Sequence, residues 1–351
     1  MKQILSAAAV LFCLLTHGQK VIFQSTQSYS QEQLADLYAS LTVQGNLLLF
    51  NAPDYNLYAY DKSTGALKWT TPLGWKSNTP PYFVQDHILA NNGKEQVVRL
   101  DTATGKLVKT LPFWNISSQP LVRGGLLYTT AIYEAGNLLA YDPVQDSVIW
   151  FRFLAHGMDQ QPYYEATRIW ANGEGDTWFE FNYQGRILSP ACDSTEAGAP
   201  WTPSCSQAFL ALTHDGKKIT GPWAKKLGLS EYDRPQVFYT PRATLLLGEG
   251  TLHTIGNRLK RKASRPLHTL LPGDVEEDAL STPQLLKAEG DLVWLLYNHR
   301  LLAYDFRKKR LRHSVDLSAW QPHNALLDED RLWFVSQKDG RLYGVGGIRF
   351  R

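Results

Sequence analysis

The chain has 351 residues, of which 44% are apolar, so it is long enough to bury a large core in a single repeat domain. Its formal net charge of +3 is too small to indicate nucleic acid as a partner. Eleven Trp and seventeen Tyr, beside only two Met, favour β-sheets, where aromatic side chains pack well.

Residues 1–18 have the features of a secretory signal peptide. Lys2 gives the positive start, Ile4 to Leu15 form the apolar run, and Thr16 to Gly18 form the cleavage site. The run of about 12 residues is shorter than a bilayer-spanning helix needs, and no later stretch is apolar enough to cross a membrane. We therefore expect an exported protein, periplasmic or extracellular, whose mature domain covers residues 19–351.

The three cysteines have different expected fates. Cys13 lies in the signal, and Phe12 occupies the position where a lipobox has a small residue, so lipidation is the less favoured alternative. Cys192 and Cys205 lie in a predicted insertion at about residues 172–207. Two cysteines this close together in an exported chain favour a disulfide. No histidine stands near them at ligand spacing, so no metal site is expected.

The segment from Leu57 to Trp69, LYAYDKSTGALKW, predicts a β-hairpin. Its first half alternates between apolar and polar residues, as a half-buried strand does. The residues from Asp61 to Gly65 then predict a turn, because an Asp side chain can bond the backbone ahead of it and Gly tolerates a positive φ. A second strand follows and ends in an aromatic side chain.

This hairpin unit recurs at Arg99 to Lys109, Ala140 to Trp150 and Ala303 to His313. A proline also recurs ahead of the units, mostly at intervals of 39 to 42 residues. These prolines are Pro80, Pro120, Pro162, Pro235, Pro283 and Pro322. Two independent markers with one period predict a repeat of about 40 residues, the length of a propeller blade.

The hairpin unit resembles the PQQ-like (quinoprotein-type) β-propeller repeat, whose signature is A-x-D-x-x-T-G-x-x-x-W. The first unit matches it fully, with Ala59, Asp61, Thr64, Gly65 and Trp69. The second unit has a lysine in place of the Trp, and the third lacks the Gly. The resemblance implies a propeller over nearly all of the mature chain, and its non-enzymatic, BamB-like branch implies the binding of protein partners.

In chain order, the repeats predict seven four-stranded blades. Leu34 to Thr42 is expected to be the inner strand of the first blade, and Leu332 to Val335 and Arg341 to Val345 lie in the seventh. The chain then ends before a fourth strand, while Val21 to Ser25 is unused at the other end. We therefore expect an all-β protein, a single β-propeller closed by this N-terminal strand. Six or eight blades are the alternatives, since the fifth repeat, around Thr244 to Leu247, is degenerate.

The loops of such a propeller lie on two faces. The connections between blades and the loops between second and third strands share one face, the connection face, and the remaining turns share the opposite turn face. Aromatic and polar residues around a central depression predict a ligand or partner site on the connection face. The candidates are Trp75, Trp114, His156, Tyr232, Asp233, Trp320 and His323. The alternative is that the tryptophans pack between blades.

The sequence predicts no catalytic residue, metal or cofactor. It has no G-x-S-x-G elbow and no H-E-x-x-H helix, and it lacks the adjacent cysteines and the Glu-Asn-Asp calcium site of quinoprotein dehydrogenases. We therefore expect a binding or scaffold module for a protein or glycan partner at the cell envelope. The alternative is a carbohydrate-active lyase or hydrolase that uses mouth carboxylates such as Glu174, Asp176 and Glu180. A quinoprotein dehydrogenase is the least favoured.

Nine basic residues follow the third strands of blades 5 and 6 and are expected to gather on the turn face. They are Lys260, Arg261, Lys262 and Arg265 in blade 5, and Arg307, Lys308, Lys309, Arg310 and Arg312 in blade 6. One interpretation is a solvated edge that discourages strand pairing. The other is a surface for an anionic partner, which could be a lipid headgroup surface, an acidic glycan or an acidic protein.

Overall fold

The structure is a computed structural model that describes most of the chain outside the N-terminal segment. The described residues are 20–35, 39–75, 79–116, 119–131, 137–153, 165–171, 177–183, 186–188, 191–192, 210–212, 218–220, 236–240, 242–248, 250–256, 262–271 and 282–348. Within these ranges the fold is all-β, and the only helices are α1 (Gln31–Ala35) and a 3-10 turn at Leu267–Leu270. No helix in this part of the chain is long and apolar enough to cross a membrane.

Within the described ranges, six complete four-stranded antiparallel sheets form blades of a β-propeller. The first strand of the chain, β1 (Lys20–Gln24), belongs to the last of them. Blade 1 consists of β2 (Ser40–Gln44), β3 (Leu47–Asn51), β4 (Asn56–Asp61) and β5 (Leu67–Pro72). Blade 2 consists of β6 (Tyr82–Val84), β7 (His87–Asn91), β8 (Gln96–Asp101) and β9 (Leu107–Trp114). Blade 3 consists of β10 (Leu121–Arg123), β11 (Leu126–Ala131), β12 (Asn137–Asp142) and β13 (Ser147–Phe153).

In the region of the predicted fourth blade, the structure describes six strands. They are β14 (Glu165–Ala171), β15 (Thr177–Tyr183), β16 (Arg186–Leu188), β17 (Ala191–Cys192), β18 (Leu210–Leu212) and β19 (Lys218–Thr220). β15 pairs with β14, β16 and β17, while β18 and β19 form a separate hairpin. The predicted insertion at 172–207 therefore contains strands that pair with the blade.

The second half of the chain repeats the four-stranded pattern of the first. Blade 5 consists of β20 (Gln236–Tyr239), β21 (Ala243–Gly248), β22 (Thr251–Gly256) and β23 (Lys262–Pro266). Blade 6 consists of β24 (Gln284–Glu289), β25 (Leu292–Tyr297), β26 (Arg300–Asp305) and β27 (Arg310–Asp316). Blade 7 consists of β28 (Pro322–Asp328), β29 (Arg331–Ser336), β30 (Leu342–Gly346) and β1.

The N-terminal strand closes blade 7, which confirms the prediction for Val21 to Ser25. β1 pairs antiparallel with β30, and Ser25 continues the ladder with a 2.8 Å hydrogen bond from its N–H to the Leu342 carbonyl. Phe23 is buried, with its ring 5.1 Å from Tyr60 of blade 1 and 5.7 Å from Trp333 of blade 7. The strand therefore covers the edge of β30 and joins the last blade to the first.

The hydrophobic core lies between neighbouring blades. The middle strands are buried along their whole length, as in β3, because each blade is covered on both faces. Trp69 of blade 1, for example, packs in one cluster with Ile88 and Leu100 of blade 2. The signature Trp is therefore an inter-blade residue in the first repeat.

Glutamines on the inner strands link successive blades. The Gln236 side chain donates to the Pro283 carbonyl at 2.9 Å and accepts from the Leu285 N–H at 2.7 Å. Gln284 repeats the arrangement one blade later. Its side chain donates to the Ala325 carbonyl and accepts from the Ala325 N–H. Each glutamine follows one of the recurring prolines, so the repeat of the sequence is also a repeat of contacts around the inner ring.

The predicted inner strand at Leu34 to Thr42 is wrong at its start. The segment begins inside α1, and the strand runs from Ser40 to Gln44. Ser30 and Gln33 explain the helix, because the Ser30 Oγ accepts from the Gln33 N–H at 3.2 Å and the Gln33 Oε1 accepts from the Ser30 N–H at 2.9 Å. This reciprocal pair is a capping box, which favours the start of a helix.

Candidate functional site

Backbone hydrogen bonds tie the loops of the connection face to one another. In blade 1, the carbonyl of Tyr55 accepts from the N–H groups of Leu73 at 2.9 Å and Gly74 at 3.2 Å. In blade 2, the carbonyl of Glu95 accepts from Asn115 in the same way at 3.2 Å. Each loop between second and third strands is therefore fixed to the connection that leaves its own blade.

Three large aromatic side chains are exposed on this part of the face. Tyr55 is 50% exposed, Trp75 is 42% exposed and Trp114 is 36% exposed. Tyr55 lies in the blade 1 loop, Trp75 in the connection between blades 1 and 2, and Trp114 at the end of β9, where the chain leaves blade 2. We call these three residues the aromatic platform.

Two glycines fix the backbone below the platform. The Gly93 N–H donates to the Leu73 carbonyl at 2.9 Å, which joins the loop of blade 2 to the connection from blade 1. A Cβ atom on Gly93 would overlap the carbonyl oxygen of Gly74, which itself has a φ of +67°. Only glycine fits so close an approach of two backbones, so the segment before Trp75 is held in one conformation.

A buried amide fixes the connection that follows Trp114. The Asn91 side chain donates to the Ile116 carbonyl and accepts from the Ile116 N–H, both at 2.9 Å. Asn91 and Ile116 are buried. The platform therefore presents large side chains from a rigid backbone, which is the arrangement that lowers the ordering cost of binding.

The predicted connection-face residues fall into three groups: exposed residues, residues that are packed or buried, and residues outside the described ranges. Trp75 and Trp114 belong to the aromatic platform. Trp320 is instead half-buried, with its ring 6.1 Å from Phe334 and 6.3 Å from Tyr343, so it packs in the core of blade 7.

His323 lies on β28, the inner strand of blade 7. Its Nε2 is buried and makes no hydrogen bond within the described part of the chain, and burial lowers the pKa of His323. His156, Tyr232 and Asp233 lie outside the described residues, as do Glu174 and Asp176. Only the backbone of Glu180 is described.

Sequence reasoning missed Tyr55. The signal was available, because the loop between second and third strands belongs to the connection face and Tyr55 is the large residue in the first such loop. Its φ of +67° matches the φ of +60° at Glu95 in the equivalent loop. The left-handed backbone at this position directs the chain back to the third strand, and no residue type in the sequence marks it.

On the turn face, the repeat aspartates cap their turns, as predicted. The Asp61 carboxylate accepts from the Ser63 hydroxyl at 2.6 Å and from the N–H groups of Ser63 and Thr64 at 3.0 Å. These bonds, led by the Ser63 hydroxyl, hold the pKa of Asp61 well below its usual range. Asp101 and Thr104 repeat the arrangement in blade 2, and the Thr104 hydroxyl lowers the pKa of Asp101. These carboxylates are structural acceptors.

The described members of the basic set divide between one outer strand and the next blade's turn. Arg265 is exposed on β23, Arg307, Lys308 and Lys309 are exposed in the turn from β26 to β27, and Arg310 is exposed at the start of β27. Arg312 differs, because it forms a 3.0 Å ion pair with the buried Asp305. Lys260 and Arg261 lie outside the described residues, and only the backbone of Lys262 is described.

Two other predictions depend on regions that the structure describes little or not at all. The Cys192 backbone belongs to β17, but its side chain and all of Cys205 lie outside the described residues, so the disulfide stays a prediction. Among the residues that the structure does describe, no group of three or more His, Cys, Asp or Glu side chains could hold a metal ion.

The four-stranded blades, their inter-blade core and their Asp-capped turns define a β-propeller built from PQQ-like repeats. A family model described as outer membrane protein assembly factor BamB matches residues 25–221, more than half of the chain. The chain belongs to this BamB family.

Solved structures show the same fold at low sequence identity. BamB from Moraxella catarrhalis is 13% identical, with a TM-score of 0.50 over 89% of this chain and 83% of that chain. The computationally designed protein Ika8 is 12% identical, with a TM-score of 0.57 over 94% of this chain and 100% of that chain. A search of curated proteins found no match to the sequence.

Proposed function

We propose that the chain is an exported, non-catalytic β-propeller that serves as a binding scaffold for a protein partner at the cell envelope. The observation that carries this proposal is the aromatic platform of Tyr55, Trp75 and Trp114 on the connection face. Trp and Tyr are the residue types most enriched among those that dominate protein–protein binding energy. Here they project from loops whose backbone is already fixed.

Two further features support the envelope as the place of action. Residues 1–18 have the features of a secretory signal. The family model carries the name of a factor that assembles outer membrane proteins, and assembly factors act by binding other proteins.

The test begins with a photo-cross-linking amino acid placed at Lys94, beside the platform in the blade 2 loop. The matched control carries the same amino acid at Lys106, which is exposed on the turn side of the same blade. A protein that cross-links from Lys94 and not from Lys106 is then identified by mass spectrometry and purified.

The affinity of this purified partner for the Trp75→Ala and Tyr55→Ala variants decides the proposal. We expect each substitution to weaken binding about 30-fold, since truncating a central aromatic residue of an interface costs about 2 kcal/mol. The Lys106→Ala variant should bind like wild type. Unchanged affinity of both platform variants would refute the proposal, and capture of envelope glycan in place of any protein would reassign the platform to a glycan.

A further inference from the structure

The turn face of blades 5 and 6 carries a cluster of cations that is separate from the aromatic platform on the connection face. Its centre is the turn from β26 to β27 together with the first residue of β27, where Arg307, Lys308, Lys309 and Arg310 are consecutive and exposed. The equivalent residues of blade 2, after the capping Asp101, are Ala103, Thr104, Gly105 and Lys106. At three of these four positions, blade 6 therefore has a positive charge where blade 2 has a neutral residue.

Among the described basic residues of this turn, Arg312 is the one whose side chain bonds the capping Asp305. The Asp305 carboxylate accepts from the Lys308 N–H at 2.7 Å and from the Arg312 guanidinium at 3.0 and 3.2 Å. Asp101 caps the blade 2 turn in the same way through the Thr104 N–H at 2.8 Å. Because the backbone of Lys308 makes the structural bond, its side chain is available for another role.

Lys309 occupies a position that needs special accommodation. Its φ of +53° corresponds to +68° at Gly105, and a Cβ atom on Gly105 would overlap the ring of Trp69 on the preceding blade. In blade 1, Trp69 on β5 pairs with Ala59 on β4. The equivalent pair in blade 5 is Ala263 on β23 with Thr254 on β22, so Ala263 occupies the position of Trp69. A small residue thus takes the place of the Trp, and this leaves room for the Lys309 side chain.

Arginines from blade 5 extend the cluster. The Arg242 Nη1 donates to both oxygens of Asp291 at 2.8 and 2.7 Å, and Arg307 lies 3.5 Å from the same carboxylate. Asp291 is thereby paired with two cations. Arg265 on β23 donates to the Thr269 carbonyl at 3.3 Å, and its positive charge opposes the rise that burial gives to the pKa of Tyr304 on β26.

The charge balance of this region is strongly positive. The described cations are Arg242, Arg265, Arg307, Lys308, Lys309, Arg310 and Arg312, and the carboxylates among them are Asp291 and Asp305. Lys287 and Glu289 nearby form a pair of their own at 3.0 Å. The cluster ends at the acidic turn of blade 7, where Asp328 pairs with Lys62 of blade 1 at 2.5 Å and Asp330 lies 4.0 Å from Arg331.

Exposed aliphatic side chains occupy the turn side of blades 1 to 3. Leu67 and Leu107 begin the outer strands of blades 1 and 2, directly after the capped turns, and Leu107 is 60% exposed. Val144 lies within the turn from β12 to β13 in blade 3 and is 90% exposed. The three exposed aromatic residues described above all lie on the opposite face.

We propose that the turn face binds the surface of an anionic phospholipid bilayer, with the cations of blades 5 and 6 on the headgroups and the aliphatic residues of blades 1 to 3 at the interface. Surface binding of this kind grows with buried apolar area and with attraction to anionic lipid. The cations and the aliphatic residues stand on different blades, so a partner as broad and flat as the face itself can contact both. The inference goes beyond the scaffold function and uses none of its residues.

The experiment measures binding of the purified chain to phosphatidylcholine vesicles with and without phosphatidylglycerol, by sedimentation at low and high salt. The Lys308→Gln/Lys309→Gln variant should bind the anionic vesicles about 30-fold more weakly, at about fivefold for each charge near the surface. The matched control is Lys94→Gln/Lys338→Gln, which removes two exposed lysines from the connection face and should bind like wild type. All variants share one N-terminus, so any contribution of the leader is common to them.

The aliphatic part of the face has its own variant. Val144→Ser should lower binding to the same vesicles about threefold, and this loss should persist at high salt because it is not electrostatic. A wild type that binds neutral and anionic vesicles equally would overturn the proposal, as would an unaffected Lys308→Gln/Lys309→Gln variant. Binding to soluble acidic protein or polyanionic glycan, with none to vesicles, would also overturn it.

Discussion

The two faces of the propeller hold their backbones in different ways. On the connection face, loops of adjacent blades bond to each other through main-chain groups, as Leu73 does with Tyr55 and Gly93. On the turn face, turns of several blades are capped from within by their own aspartates, as at Asp61 and Asp305. On both faces, the backbone is therefore held mainly without the exposed aromatic, basic and aliphatic side chains. One face can therefore carry aromatic residues and the other cations and aliphatic residues on the same repeat.

The largest effect should come from the strand that supports both faces at once. Phe23 is 8% exposed and packs between Tyr60 and Trp333, so Phe23→Ala should lower the free energy of unfolding by about 3–5 kcal/mol. Val21 on the same strand is 40% exposed, and Val21→Ala should cost about 0.5 kcal/mol or less. Denaturant unfolding of the two variants checks this, and equal stabilities would contradict the assigned closure of blade 7.

A smaller loss of stability should follow from a substitution on the connection face. Gly93→Ala forces a Cβ atom against the Gly74 carbonyl and should cost about 1–3 kcal/mol. Gly290→Ala on the turn face is the control, because its Cβ would meet open space and only the φ of +59° opposes it, at about 1 kcal/mol. Thermal unfolding measures both. A cost at Gly290 that exceeds the cost at Gly93 would mean that the connection-face backbones are not in close contact.

The smallest effect concerns acid stability on the turn face. Burial alone would raise the pKa of Asp305, but the Lys308 N–H and the Arg312 guanidinium outweigh it, and the pKa lies below its ordinary value. A carboxylate with a lowered folded-state pKa stabilises the fold above its unfolded-state pKa of about 4, and this stability is lost as the pH falls through the folded-state pKa.

Asp305→Asn should therefore make unfolding less sensitive to pH below about 4, because the amide oxygen still accepts from Lys308 but carries no charge. Unfolding at pH 7 and at successively lower pH provides the measurement. If the Asp305→Asn variant kept the full acid sensitivity of wild type, the charge of Asp305 would not contribute to stability.

Much of the fold follows from the sequence, and the reason is the repeat. Asp61 and Gly65 mark a turn by local chemistry, and the recurring prolines fix the period, so the strands and the closing role of Val21 to Ser25 were predictable. Leu34 was misassigned because an apolar residue in a short segment fits a helix as well as a strand. Only the Ser30–Gln33 capping box separates the two.

The site was less predictable than the fold. Trp75 and Trp320 are the same residue type in equivalent connections, yet one is exposed and the other packs on Phe334. Their difference depends on which side chains the neighbouring blade supplies, and a single sequence does not display that. Arg242 was missed for a related reason, since its partner Asp291 lies on another blade.

The central claim is that the two faces have separate partners, and hydrogen exchange with and without anionic vesicles tests it most directly. The claim predicts slower amide exchange in the blade 6 turn at residues 306–310 when vesicles are present, and no change in the blade 2 loop at residues 92–95. Protection that appears at 92–95, or that is equal in both segments, would contradict it.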